Sequence, residues 1–331
     1  MRLFFYSKKR SLLQLPYLFL ACISLVTALK KPPTYHIVGG DPAAQDELPF
    51  AANIYIDNWS SCGGAILTED WIVTAAHCVN AAYLGISGIV SRVYEPINVT
   101  RVSISVGYLA KNAPITLPIK TVVVHPNYTP GPEMHDLALL QLHQPLIFNQ
   151  SVQRIPISNA DVYPGLNVTA LGWGNYDEKT LAVSLHKVGL NIAPPQVCRS
   201  INPGFTDNQG FQICTGLTPG RDTCYGDSGG PLIHQVNGTA RLLGVTSYGG
   251  SIIRGEPACG GDNSVGFYTR VSKHMSFLMN VTGLVDDQFE PKQAKNTTED
   301  SKQIWTNSGI PSQYLSIVSY LIIFLCSLSA W

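Results

Sequence analysis

Short apolar, β-branched runs recur through residues 37–283, separated by Gly, Pro and Asn. Ala65-Ile66-Leu67, Trp71-Ile72-Val73, Val102 to Val106, Lys120 to Val124, Leu137 to Leu142, Val168 to Leu171 and Leu242 to Ser247 have the residue types and lengths of strands. Such runs, with turn residues rather than helical patterns between them, predict an all-β barrel or sandwich and not βαβ units. A helical pattern is convincing only from Val271 to Asn280. No internal repeat or low-complexity tract interrupts this stretch.

Both ends of the chain break the pattern. Residues 1–28 hold a basic cluster, Lys8-Lys9-Arg10, then an apolar run from Leu12 to Val26 and the small residues Val26-Thr27-Ala28. That is the layout of a cleaved export signal; Gln14 and Pro16 make the run a poor membrane span. Residues 29–36 are left as a short propeptide and residues 284–313 as a polar linker. Residues 314–331, from Tyr314 to Trp331, carry no charge. Following the small cluster Asn307-Ser308-Gly309, this tail reads as the removable signal of a GPI anchor. A single transmembrane helix and an uncleaved apolar tail are the alternatives. Eight sequons, at Asn58, Asn98, Asn127, Asn149, Asn167, Asn237, Asn280 and Asn296, favour a glycoprotein made in the secretory pathway.

Composition excludes a disordered or collagen-like chain, with 45% hydrophobic and 13% charged residues. Lys+Arg and Asp+Glu are both 22, and without a basic excess no nucleic-acid partner is expected. The neutrality is a sum over unlike parts. Residues 1–36 carry six basic and no acidic residues, whereas residues 37–283 carry 13 and 17. Of eight cysteines, Cys22 lies in the signal and Cys326 in the tail, leaving six, which allow fifteen pairings.

Three motifs carry chemistry: Thr74-Ala75-Ala76-His77-Cys78 after an apolar strand, Asp136 opening the run Leu137-Ala138-Leu139-Leu140, and Gly226-Asp227-Ser228-Gly229-Gly230-Pro231. A serine hydroxyl needs an adjacent base, and imidazole titrates in the useful range. A buried carboxylate fixes the imidazole tautomer and stabilises the imidazolium. Glycines let the N–H groups of Gly226 and Ser228 converge on a developing oxyanion. His125, His143, His186, His234 and His274 read as surface or satisfied core residues, and His135, beside Asp136, suggests no role.

These motifs, with Ile37-Val38-Gly39-Gly40, Gly172-Trp173-Gly174 and Tyr268-Thr269-Arg270-Val271, make the chain resemble a trypsin-like serine endopeptidase of the chymotrypsin family over about Ile37 to Asn280. The resemblance implies two antiparallel six-stranded β-barrels with a C-terminal helix and a cleft between the barrels. It implies a His77–Asp136–Ser228 triad, an oxyanion hole at Gly226 and Ser228, and no cofactor or metal. Asp222 matches the acid at the floor of the S1 pocket, with Gly249 and Gly266 on its walls, so cleavage after Arg or Lys is expected. A new N-terminus at Ile37 would pair with Asp227, making the precursor a zymogen. His36 is not the basic residue of self-activating members, so the activating protease is open. Polypeptide substrates, an activating protease and protein inhibitors are the expected partners. The implied disulfides are Cys62–Cys78, Cys198–Cys214 and Cys224–Cys259, while Val168 and His234 fill the positions of a further bridge common in vertebrate trypsins. Compared with compact trypsins the chain is longer between Asn80 and Asn98, expected as a loop bordering the substrate cleft, has Tyr248 where tryptophan is usual, and lacks carboxylates from Tyr108 to Lys120, so no calcium dependence is expected.

Overall fold

The computed structural model describes residues 37–84, 92–107, 116–131, 133–174, 184–253 and 259–285. The export signal, the propeptide, the apolar tail, nearly all of the linker and most of Tyr108 to Lys120 lie outside the described residues.

A two-residue strand, β1 (Asp41–Pro42), precedes the first barrel. Its strands are β2 (Ala51–Ile56), β3 (Trp59–Ile66), β4 (Trp71–Thr74), β7 (Val102–Val106), β8 (Leu117–Val124) and β9 (Ala138–Leu142). Between β4 and β7 come a one-turn helix, α1 (Ala76–Val79), and the antiparallel ribbon of β5 (Asn80–Leu84) with β6 (Arg92–Pro96). The barrel closes in the order β2-β3-β4-β9-β8-β7. All its pairings are antiparallel, as tight connections between consecutive strands require. Every residue of β4 is buried, which is why Trp71-Ile72-Val73 reads as a continuous apolar run rather than an alternating one. Ile54, Ile66, Ile72, Leu139 and Leu140 fill the interior, each contributing about 1.5–3 kcal/mol on leaving water.

The second half comprises β10 (Asn167–Gly172), β11 (His186–Asn191), β12 (Gln212–Gly216), β13 (Pro231–Val236), β14 (Thr239–Ser251) and β15 (Ser264–Arg270), with a short helix, α2 (Pro195–Arg199), before β12. The expected six strands are joined at one edge by β1, giving the order β1-β11-β10-β13-β14-β15-β12. A bridge between Ile192, just past β11, and Thr215 in β12 draws the sheet's far ends together. Its interior is lined by Val168, Val188, Leu190, Ile213, Leu232, Leu243 and Tyr268, and the side chain of Ile37 joins this cluster at 1% exposure.

The chain ends in a 3-10 turn over Val271–His274 and a helix, α3 (Met275–Thr282). Gly283, at φ 72°, closes α3 by donating its N–H to the Met279 carbonyl, a left-handed cap that glycine adopts without steric cost. Leu278 and Leu284 pin this segment onto the first core. The three disulfides have the pairing the resemblance implied, Cys62–Cys78, Cys198–Cys214 and Cys224–Cys259. The β10–β13 register pairs Thr169 with Ile233, so Val168 and His234 are the next opposed positions, where the absent bridge would lie.

Candidate active site

β4 delivers the chain into α1, whose tight start is possible because Ala75 and Ala76 are small enough to be fully buried. The Cys62–Cys78 bridge ties that turn to β3. These constraints aim His77 at Asp136, which stands two residues before β9 and has no exposure to solvent. His77 Nδ1 lies 2.8 Å from Asp136 Oδ2, and the His77 backbone N–H donates to Oδ1 at 2.9 Å. The Ser247 hydroxyl also donates to Oδ2. The Thr269 hydroxyl donates to the Asp136 carbonyl at 2.8 Å. A carboxylate held this way fixes the proton on Nδ1 and leaves Nε2 as a base directed away from it. Burial lowers the affinity of His77 for a proton most, but the hydrogen bond and charge of Asp136 outweigh it, and the net pKa lies above the usual 6.5.

Ser228 sits on a loop clamped to the barrel and to the second sheet. Its carbonyl accepts the Gly63 N–H from β3 at 2.7 Å, and Gly229 N–H donates to Thr246 in β14 at 2.8 Å. A Cβ on Gly229 would stand 2.2 Å from Thr74 Oγ1, so only glycine permits this approach. The N–H groups of Asp227, Gly229 and Gly230 are spent within the loop and on β14, whereas those of Gly226 and Ser228 donate to no described residue. The Asp227 carboxylate is fully buried and accepts N–H groups from Gly174 and Cys224, both at 2.8 Å. Cβ atoms on Gly172 or Gly174 would fall 2.1 or 2.6 Å from its Oδ1, which explains the glycines flanking Trp173.

Below this loop Asp222 is 3% exposed. Its Oδ1 accepts the Thr223 N–H at 2.8 Å and its Oδ2 the Gly260 N–H at 3.4 Å. None of the ion pairs among the described residues includes it. Burial therefore dominates and lifts its pKa from 3.8 to about 6, against the opposing hydrogen bonds from Ser264, Gly260 and Thr223. Gly249 and Gly266 face each other across β14 and β15. A Cβ on Gly266 would stand 3.3 Å from Asp222 Oδ1 and narrow the space above the carboxylate. A cavity of about 520 Å³ is lined by His77, Ser228, Thr223, Cys224, Ser247, Tyr248, Gly249 and Cys259, with Tyr225, 74% exposed, at its mouth. Tyr248 is stacked on Phe267, with ring centroids 4.6 Å apart.

An imidazole–carboxylate pair and a glycine-flanked serine opening on one cleft, set by a closed barrel and a second curled sheet, define a serine-hydrolase class of site. The Trypsin family model matches residues 37–278, and the chain belongs to that family of serine endopeptidases. It is 30% identical over 261 residues to CLIP domain-containing serine protease B4 of Anopheles gambiae, covering 74% of this chain and 70% of the relative. It is 28% identical to phenoloxidase-activating factor 1 of Holotrichia diomphalia, covering 73% and 68%. Against transmembrane protease serine 11G of Mus musculus it is 27% identical, covering 78% of this chain but only 58% of that protein.

His77 and Asp136 are thus in contact, Ser228 shares their cleft, and Asp222, Gly249 and Gly266 lie together beneath it. Ser247 ends a strand-like run and Thr269 lies in the Tyr268–Val271 motif, but nothing in the sequence pointed to their hydrogen bonds with Asp136. Their partners lie 111 and 133 residues away.

Proposed function

We propose that this chain is an endopeptidase that cleaves after Arg or Lys with Ser228 as nucleophile. The observation that carries this reading is the buried carboxylate of Asp222, unpaired beneath the cleft of Ser228. A cationic side chain entering there relieves the cost of a lone buried charge, which an apolar side chain does not. Ser228 Oγ attacks the scissile carbonyl while His77 Nε2 takes its proton, and the N–H groups of Gly226 and Ser228 receive the oxyanion. His77 then protonates the leaving amine, and a water molecule repeats the sequence on the acyl-enzyme. Asp136 orients the imidazole throughout.

The same reading makes the precursor a zymogen. Cleavage before Ile37 frees an ammonium that pairs with Asp227, a local charge change that orders the oxyanion loop. The burial of both Ile37 and Asp227 supports it. Secretion and glycosylation are supported by the sequons, since Asn58, Asn98, Asn127, Asn149, Asn167, Asn237 and Asn280 are all exposed. A GPI anchor made at the C-terminal tail would hold the enzyme on the cell surface, and release by a phosphatidylinositol-specific phospholipase tests that point. The central test is a peptide library offered to protein beginning at Ile37, with Ser228→Ala as control. Arg and Lys are expected before the cut; equal cleavage after Phe or Leu refutes the pocket. Absence of fluorophosphonate labelling of the activated protein refutes the nucleophile.

A further inference from the structure

Behind the catalytic carboxylate, three histidines from separate parts of the chain meet. His125 follows β8, His135 immediately precedes Asp136, and His274 ends the 3-10 turn before α3. Their candidate ligand nitrogens all lie within 4.8 Å of one another. His135 Nδ1 and His274 Nε2 are 3.1 Å apart. The His125 ring stacks on that of His135, with centroids 5.1 Å apart, and meets His274 edge-on at the same distance. Phe277 packs on His125 and Phe211 on His135, walling the cluster with apolar surface.

Several features suit this cluster to a metal ion. His274 is 3% exposed, and its Nδ1 donates to the Arg270 carbonyl at 2.9 Å, which turns the lone pair of Nε2 toward His135. A backbone carbonyl on the far ring nitrogen is the usual orienting partner of a metal-binding imidazole. Two nitrogens on one tetrahedral ion, bonded at roughly 2.0–2.1 Å, stand about 3.3 Å apart, close to the observed His135–His274 separation. His125 Nδ1 accepts the Asn127 N–H at 3.2 Å, at the long limit for such a bond, and exchanging it for a metal bond supplies the third ligand. His135 also holds a left-handed backbone, φ 55°, uncommon for a residue with a side chain. The other candidate groups are spent: Cys62 and Cys78 are joined in a disulfide, and His77 and Asp136 are hydrogen-bonded to each other.

We propose that His125, His135 and His274 form a binding site for a borderline divalent cation such as Zn²⁺, and that its occupancy inhibits the protease. Three neutral imidazoles suit zinc and its neighbours, whereas calcium and magnesium prefer oxygen ligands. The inhibition rests on the protease reading above and follows from connectivity. His135 is one peptide bond from Asp136, and the His125 N–H donates to the carbonyl of Leu137, on the other side of Asp136, at 2.9 Å. Drawing His125 in by at most roughly 1.5 Å to reach a zinc bond pulls on both neighbours of the carboxylate that aligns His77. The pocket of Asp222 is not on that path, so kcat should fall while KM holds.

Binding and inhibition can be measured separately on tag-free protein. Isothermal calorimetry on the Ser228→Ala protein should show one equivalent of Zn²⁺, undisturbed by millimolar Ca²⁺ or Mg²⁺. His125→Gln or His135→Asn should each weaken binding by about tenfold or more; asparagine tolerates the left-handed backbone at 135. In the activated enzyme, saturating Zn²⁺ should lower kcat at least about tenfold with KM nearly constant, chelator should reverse this, and both variants should resist it. Circular dichroism and fluorophosphonate labelling without metal verify that each variant is folded. Absence of zinc uptake by the Ser228→Ala protein overturns the site, whatever the substrate specificity proves to be. Zinc bound with kcat unchanged overturns the inhibition. Competitive inhibition of equal size in both variants overturns the proposal by placing the ion on His77.

Discussion

Asp222→Asn should make the empty enzyme more stable at pH 8 while removing the proposed preference for cationic substrates. The buried carboxylate titrates near 6 in the folded chain instead of 3.8. At about 1.36 kcal/mol per unit, keeping it ionised costs the fold about 3 kcal/mol. Below pH 3.8 the acid is neutral in both states and the cost is absent. Between 3.8 and about 6 the unfolded chain releases the proton that the folded chain retains, so stability falls as pH rises and is level above that window. An asparagine removes the charge but turns an amide N–H toward either the Thr223 or the Gly260 N–H, returning about 1 kcal/mol of the gain. The expected result is a variant about 2 kcal/mol more stable at pH 8 and about 1 kcal/mol less stable at pH 3.5, where the charge is gone and the amide's cost remains.

Urea unfolding in a Ser228→Ala background, where self-digestion is absent, measures that difference at both pH values. In the catalytically competent background, kcat/KM for Arg and Lys substrates should drop about 10²–10⁴-fold, the kinetic equivalent of the 3–5 kcal/mol lost when a buried charge pair is broken. A variant less stable than the parent at pH 8, or a stability gap that does not change with pH, refutes the account of Asp222 as a strained carboxylate. An unchanged Arg/Lys preference refutes its role in the pocket.

Three further substitutions probe the machinery around Ser228. Gly172→Ala puts a Cβ 2.1 Å from Asp227 Oδ1, and should lower kcat/KM about a hundredfold and stability by about 1–3 kcal/mol; activity within threefold of the parent, measured by steady-state kinetics, contradicts this role for Asp227. Asp136→Asn removes what holds the pKa of His77 above 6.5, so the acid limb of kcat/KM should move to lower pH while kcat falls about 10⁴-fold, the magnitude known for the triad aspartate in this family. The raised His77 pKa also contributes stability that is complete below pH 6.5 and lost as pH rises through the folded value, and urea unfolding of the same variant should lack that slope. Ser247→Ala takes one donor from Asp136, leaves its negative charge more fully on the His77 imidazole, and should push the acid limb the opposite way, to higher pH, with kcat reduced about tenfold; a shift in the same direction as Asp136→Asn would be incompatible with the hydrogen bond.

What the sequence made legible was local. The apolar runs Val102 to Val106 and Leu137 to Leu142 became β7 and β9 almost residue for residue, because strand burial writes itself into consecutive positions. His77, Asp136, Ser228 and Asp222 were likewise marked by the residues directly around them. Features that depend on barrel closure were not. The stretch from Asn80 to Asn98 was expected as a loop, yet β5 and β6 pair across it as a two-stranded ribbon separate from the barrel and the second sheet. Gly172 and Gly174 were part of a recognised motif, but the reason for them, a carboxylate more than fifty residues on, exists only after the Ser228 loop folds against β10.

The histidines make the same point in chemical terms. Read singly, His125 and His274 are unremarkable core residues, and His135 adjoins Asp136 to no visible purpose. The fold closes a separation of 139 residues between His135 and His274 to a 3.1 Å contact, and three bland residues become one donor set. A spacing rule for metal ligands works when the ligands share a helix or a turn. Here β8, the approach to β9 and the turn after β15 each supply one imidazole, so the spacing carries no signal. The same convergence puts this donor set next to the Asp136 backbone, because Asp136 is itself held by β15 through Thr269 and by β14 through Ser247. Two of the segments that hold Asp136, the approach to β9 and β15 with the turn after it, therefore also supply the candidate metal site, and a ligand there bears mechanically on that carboxylate.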